Sequence, residues 1–199
     1  MTARLAETIW FLAAAGWFVL RLPHVRRARK TPVARSDRDS LERRLLGISL
    51  TGLGIVPILY IALSLIVGDG NLPFDRTFAS WHGWVGLVCA LAALALFQLT
   101  HAQLGRNWSV SLDTRRDHRL IDSGVYALVR HPMYSAFWLL AIAQAWLIPN
   151  WVAGFAGLIG FGTLFFLRVG REEQMMVDTF GEAYLAYMRR TKRVVPWLY

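Results

Sequence analysis

A single cysteine occurs among the 199 residues, and 13 acidic residues are set against 22 basic ones. Cys89 therefore has no partner for an intrachain disulfide. It lies in an apolar run, where burial raises a thiol's pKa and makes it a core residue rather than a nucleophile. No pair of His, Cys, Asp or Glu stands at the spacing of zinc ligands, so no metal is expected. His82 and His101 lie about five helical turns apart and cannot share an ion. Dinucleotide binding lacks its G-x-G-x-x-G fingerprint. In a soluble protein the net charge of +9 would raise nucleic acid as a partner. Stacking aromatics are not interleaved with the basic residues here, as single-strand binding requires, and nucleic acid is not expected.

What the chain does have is apolar surface: 55% of its residues are hydrophobic and nine are Trp, the composition of a membrane protein. Residues 5–20 carry one charge, Glu7. No basic run precedes them and basic residues follow, so they read as a first membrane helix rather than a signal peptide. Residues 21–44 are basic and broken by Pro23 and Pro32, a connection suited to anionic headgroups. Residues 45–67 are uncharged and long enough for a second span, with Pro57 as a kink. A third uncharged run occupies 77–105, with Trp81 and Trp84 as interfacial anchors. The 35 uncharged residues 133–167 would make a helix of about 52 Å, so Pro149-Asn150 is expected to split them into two short spans. Small residues at Ala153/Gly157 and Ala156/Gly160 suit close helix contact.

The expected fold is thus an all-α integral membrane protein, with five transmembrane helices ending in a short helical hairpin. A cytoplasmic amphipathic helix follows, striped by Met176, Phe180, Tyr184 and Met188 and interrupted near Gly181. Five spans put 20 of the 22 basic residues on one side, all but Arg4 and Arg76. By the positive-inside rule that side is the cytoplasm and the N-terminus is outside, in an inner membrane or an endomembrane.

Polar chemistry concentrates where the fourth span begins. His118, Tyr126, Arg130, His131 and Tyr134 come from one cytoplasmic segment, and Glu172 and Glu173 open the next. Pro132 suits the first helical turn and biases His131 away from helix, while Gly124 permits a turn or a close approach. A hairpin of spans four and five brings the Arg130-His131 end against the Glu172-Glu173 end. A carboxylate pair beside the bilayer is costly, which favours a functional role.

The ordered set "LGRNWS" (104–109), "HRLIDSGVYALVRHPMY" (118–134), "REE" (171–173), "FGEAYLAY" (180–187) and "TKRVVP" resembles the isoprenylcysteine carboxyl methyltransferase family, with its related phospholipid and thiol methyltransferases. Ala136 stands where that motif often has Gly, and the N-terminal half gives no specific match. The resemblance implies a membrane methyltransferase using S-adenosylmethionine. Cofactor-binding residues would be His118, Leu120, Ile121, Gly124, Tyr126, His131, Pro132, Tyr134, Glu172 and Glu173. Arg130 would orient the acceptor, as a guanidinium fork suits a carboxylate, with Arg168 as a second candidate. The acceptor would be lipophilic, or a small thiol, amine or carboxylate, with membrane lipid as the surrounding partner. Residues 1–104 are expected on the acceptor side of a single membrane domain and 105–199 as its cofactor-binding half. Two other classes stand beside this one: a sterol-reductase-like membrane enzyme using NADPH, and a non-catalytic membrane scaffold.

Overall fold

Lipid leaves no backbone polar group a water to bond, so the uncharged runs close their hydrogen bonds internally as long helices. The computed structural model describes residues 1–28, 33–36, 40–68, 72–104, 113–115 and 120–199, with the backbone alone at 27–28, 33–36 and 113–115. In order these are α1 (Ala3–Ala28), β1 (Val33–Ser36), α2 (Ser40–Leu50), a π-helical turn (Thr51–Ile55), α3 (Val56–Val67), α4 (Ser80–Leu104), β2 (Asp113–Arg115), α5 (Val125–Leu128), α6 (Pro132–Leu147), α7 (Trp151–Phe180) and α8 (Glu182–Arg190). Among the described residues, four helices are long and apolar enough to cross a membrane: Ala3–Arg26, Ser40–Val67, Ser80–Leu104 and Trp151–Phe180. The fifth expected span, α6, has 16 residues, or about 24 Å against a hydrocarbon core of about 30 Å. It packs along α4 and α7, its largest neighbours.

Local chemistry explains the joints. At Pro149-Asn150 the chain turns as expected, because Asn150 caps α7 by accepting from the Ala153 amide at 2.9 Å. Its Nδ2 donates to Pro73 O and Asp75 Oδ1, both at 2.9 Å, which ties this turn to the α3–α4 connection. Pro57 does not break the second span. A proline ring crowds the carbonyl four residues earlier, and the helix accommodates it in the π-helical turn just before it. The buried Gln144 of α6 donates to Gly52 O of that turn at 2.9 Å and to Ala153 O of α7 at 2.7 Å. The small residues of α7 do meet a neighbour closely: a Cβ on Gly52 would lie 2.2 Å from Ala156 O, and one on Gly160 2.8 Å from Ile48 O.

Two expectations are corrected. α1 does not end before Pro23 but continues to Ala28, because Arg21 and His24 turn inward: Arg21 lines the cavity described below and His24 packs on His101 at 4.3 Å. The helix beyond 168 is not separate from the last span. α7 runs unbroken through Arg168 and Glu173 to Phe180, and only then does Gly181, at φ 55°, break it. Besides the helices there is one short antiparallel pair, β1 with β2, Val33 opposite Arg115 and Ser36 opposite Asp113. Neither "VARS" nor "DTR" alternates apolar with polar, so no period-2 signal marks them as strands. Their pairing puts the connections after α1 and after α4 at one end of the bundle. At the other end, Arg4 donates to Ser64 O and Gly68 O, and Arg76 to Ile148 O.

Candidate active site

The site is built on a backbone corner. Gly124 takes φ 60° at the start of α5, where a side chain would be doubly unfavourable: the conformation is left-handed, and a Cβ would collide with Gln103 at 2.1 Å. Gln103 Oε1 accepts from the Val125 amide at 3.0 Å, fastening the corner to the end of α4. After α5 the chain extends, and Val129 pairs in parallel with Lys192. The Arg130 amide donates to Lys192 O at 2.7 Å and the His131 amide to Arg193 O at 2.9 Å. His131 itself is non-helical, at φ −123° and ψ 61°, with Pro132 opening α6. This is the fixed, non-helical projection expected of a residue before proline.

Opposite this corner stands the pair on α7. Glu173 is buried: its Oε1 accepts from Arg130 Nε at 3.0 Å and Nη2 at 2.8 Å and lies 3.3 Å from His131 Nε2. Its Oε2 accepts from Arg193 Nε at 3.0 Å and Nη2 at 2.8 Å. Arg130 also donates to the carbonyls of Met188 and Thr191. Glu172, 27% exposed, accepts from the Tyr134 hydroxyl, lies 3.7 Å from His131 Nδ1, and reaches Arg168 Nε at 3.8 Å. Arg168 in turn meets the buried Glu42 of α2 at 3.5 Å. On α8, burial pushes the Tyr184 and Tyr187 hydroxyls well above the usual phenol range, and Tyr187 donates to Tyr126 O at 2.5 Å. Its hydrogen bonds to Glu173 hold the Arg193 guanidinium above its ordinary value.

A cavity of about 600 Å³ opens beside this network and has two unlike ends. The polar end is walled by Leu120, Ile121, Tyr126, Arg130, His131, Pro132, Tyr134, Arg168 and Glu172, joined by Met175, Met176, Tyr184 and Tyr187. The apolar arm runs between α1 and the second span, along Phe11, Ala14, Ala15 and Phe18 on one side and Leu50, Leu53, Gly54 and Ile58 on the other. Phe97, Phe137 and Phe161 close it from α4, α6 and α7. Of the expected site residues, Glu173 and Gly124 stand behind this wall rather than in it, and His118 lies outside the described residues. Sequence reasoning missed Arg21, Glu42, Arg193, Tyr184 and Tyr187 as site residues. Arg193 and the two tyrosines do lie in the quoted "TKRVVP" and "FGEAYLAY" segments. Glu42 and Arg21 sit in a stretch dense with arginine, where one more ionic residue reads as solvated charge.

Residues 84–178, from α4 to the helix that carries the Glu172-Glu173 pair, match the model of the isoprenylcysteine carboxyl methyltransferase (ICMT) family. That stretch, a little under half of the chain, is what is similar to the family. Its similarity to the protein-S-isoprenylcysteine O-methyltransferase of Dictyostelium discoideum is 26% identity over 133 residues, 64% of this chain and 54% of that one. With the Schizosaccharomyces pombe protein of the same name it is 31% over 96 residues, 47% and 41% of the two chains. The methanethiol S-methyltransferase 1 of Bradyrhizobium diazoefficiens matches at 27% over 132 residues, 66% and 45%. The chain therefore aligns with about half the length of the curated proteins it matches. In fold it is similar to the solved structure of a eukaryotic intramembrane Ras methyltransferase, ICMT, with a TM-score of 0.52 at 22% identity, covering 81% of this chain and 54% of that one.

Proposed function

We propose that this chain is an integral membrane methyltransferase that takes S-adenosylmethionine at the polar end of the cavity and a lipophilic or thiol acceptor along its apolar arm. The observation that carries the reading is the continuity of the two ends: one cavity joins a charged corner to a lipid-like groove, with a volume typical of small-molecule sites. The lining suits a nucleoside-bearing cation. Glu172 presents a carboxylate to the cavity for an ammonium or ribose hydroxyls, and Leu120, Ile121, Met175 and Met176 offer apolar surface for a base.

A sulfonium donor supplies an activated methyl group that passes in a single displacement, so the protein's task is to position two reactants and shape the field around a charge that disappears. Tyr134 and His131 hold Glu172 toward the donor. Glu173 acts from behind, fixing Arg130, His131 and Arg193 in one piece. Because Arg130 is committed to Glu173 and two carbonyls, Arg168 is the guanidinium better placed to meet an acceptor, and Arg130 holds the corner. His118 and Gly124 join the donor side, His118 as a wall residue and Gly124 through its backbone.

In this reading residues 1–104 supply the acceptor side and 105–199 the donor side. α6 and α7 cross as a hairpin, giving five passes with the N-terminus outside and the site cytoplasmic. The charge count supports that orientation, since Arg4 and Arg76 are the two basic residues assigned to the outer end. Titration of purified protein with S-adenosylhomocysteine and with NADPH separates a methyltransferase from a reductase or a scaffold. Binding of the first alone is expected. Transfer of labelled methyl groups to a panel of prenylcysteines, phospholipid amines and thiols then identifies the acceptor.

A further inference from the structure

The segment after α8 is tied to the site and yet turns its most apolar side chains outward. Its inner part is held firmly: Lys192 O and Arg193 O accept from the Arg130 and His131 amides, Arg193 grips Glu173, and Ser135 Oγ donates to Val194 O at 2.6 Å. Its outer part then folds back on itself, the Val194 and Val195 amides both donating to Tyr199 O at 2.7 Å. On this small loop Trp197 is 88% and Leu198 78% exposed. Trp197 is held at φ 63°, a left-handed backbone that is a genuine outlier for a bulky residue. Strain spent on pushing an indole into water would be unfavourable twice over.

The loop's depth identifies what meets it. Tyr199 packs on Phe165 with ring centroids 6.4 Å apart. Phe165 lies two residues, about half a helical turn, before the end of the uncharged run of α7 at Leu167; it is buried, while its neighbours Phe166 and Leu167 are exposed. Arg189, Arg190, Lys192 and Arg193 precede the loop. An aromatic tip beside a basic collar, at the level where a membrane helix leaves its uncharged run, matches the bilayer interface and its anionic headgroups.

We propose that Trp197 and Leu198 dock into the headgroup–acyl boundary of the membrane, and that this anchoring clamps Arg193 onto Glu173 and the 192–193 backbone onto the Arg130-His131 corner. The test uses the full chain in bilayers. Emission of the unmodified protein minus that of Trp197→Phe isolates Trp197. It is expected to be quenched by brominated phosphatidylcholine, more strongly by bromines placed near the headgroup than near the acyl terminus. A difference signal untouched by any brominated lipid overturns the proposal, whether Trp197 is then found in water or covered by a second copy of the chain. The clamp is read separately, by mass-spectrometric hydrogen exchange of the segment holding the Arg130 and His131 amides. Trp197→Glu is expected to speed that exchange at least tenfold in bilayers while Trp197→Phe stays within twofold, and equal rates in all three proteins would overturn the clamp. Neither readout depends on methyl transfer, so loss of the proposed activity and loss of this inference are distinguishable.

Discussion

Two adjacent carboxylates, one helical position apart, do different work. Glu173 is 6% exposed and is contacted by Arg130, His131 and Arg193, so removing its charge strands the buried guanidinium of Arg130. Breaking such a pair from one side costs about 3–5 kcal/mol. Glu173→Gln is therefore expected to lower the thermal unfolding temperature of the purified protein markedly. Glu172 is partly exposed and faces the cavity. Glu172→Gln should leave that temperature nearly unchanged while weakening S-adenosylhomocysteine binding by about 1.5–3 kcal/mol, the value of a charge-assisted hydrogen bond. A stable Glu173→Gln beside an unstable Glu172→Gln would reverse the assignment. Glu42 makes a third case: it is buried outside the cavity wall and meets Arg168. Glu42→Gln frees Arg168 to turn toward Glu172. The expected result is a raised KM for the acceptor, with donor affinity less affected and Glu42→Asp restoring part of the loss. Equal effects of Gln and Asp on stability alone would show a purely structural acid. The Arg130-His131-Pro132 corner and the glutamate pair were legible in the sequence because ionic groups are rare beside uncharged runs. Glu42 was not, because its partner is Arg168, far along the chain, and nothing local to α2 marks an acid that turns inward.

At the scale of helices, the contact that shapes the cavity is the one between the second span and α7. Gly52 and Gly160 let the two backbones touch, and Gln144 fills the remaining hydrogen-bonding need by donating to Gly52 O and Ala153 O. Gly52→Ala places a methyl 2.2 Å from the Ala156 carbonyl, and overpacking of this kind costs about 1–3 kcal/mol. Gly47, earlier on the same span in α2, has open space where a methyl would stand, with nothing within 4 Å. Gly47→Ala is expected to be neutral or to stabilise by about 0.5–1 kcal/mol through helix propensity. Thermal unfolding of the two variants side by side checks this, and a similar effect of both would mean that close packing is not what Gly52 supplies. The small-residue spacing on α7 announced such a contact, but the sequence did not say which helix would receive it. Pro57 marked an irregularity whose form, a π-helical turn, depends on α7 and on Gln144. Likewise the passage of α7 through 168–180 carries no local mark, since a helix can leave the membrane without a break when its ionic residues find partners on the next element.

Across the whole molecule, the apolar arm joins the half without family motifs to the half that carries them. Its wall on α1 runs from Phe11 to Arg21, about 15 Å of helix, and its opposite wall from Leu46 to Ile58 covers about 18 Å. Both lengths suit an extended hydrocarbon chain lying along the helices with its reactive end at Arg168. Ala15 and Gly54 line this groove with little or no side chain, and a Cβ on Gly54 would meet only Leu50 at 3.5 Å, so a large residue there projects into the arm without colliding with backbone. Gly54→Phe is accordingly expected to abolish transfer to long-chain acceptors, at least a hundredfold in kcat/KM by the loss of about 3 kcal/mol of chain burial. S-adenosylhomocysteine binding, at the other end, should persist. If the acceptor is instead a small thiol, as the name of the Bradyrhizobium diazoefficiens relative states of that protein, the arm is not filled during turnover and Gly54→Phe leaves transfer to thiols intact. The same substitution assayed with a prenylcysteine and with a short thiol thus separates the two kinds of acceptor that the proposed function allows.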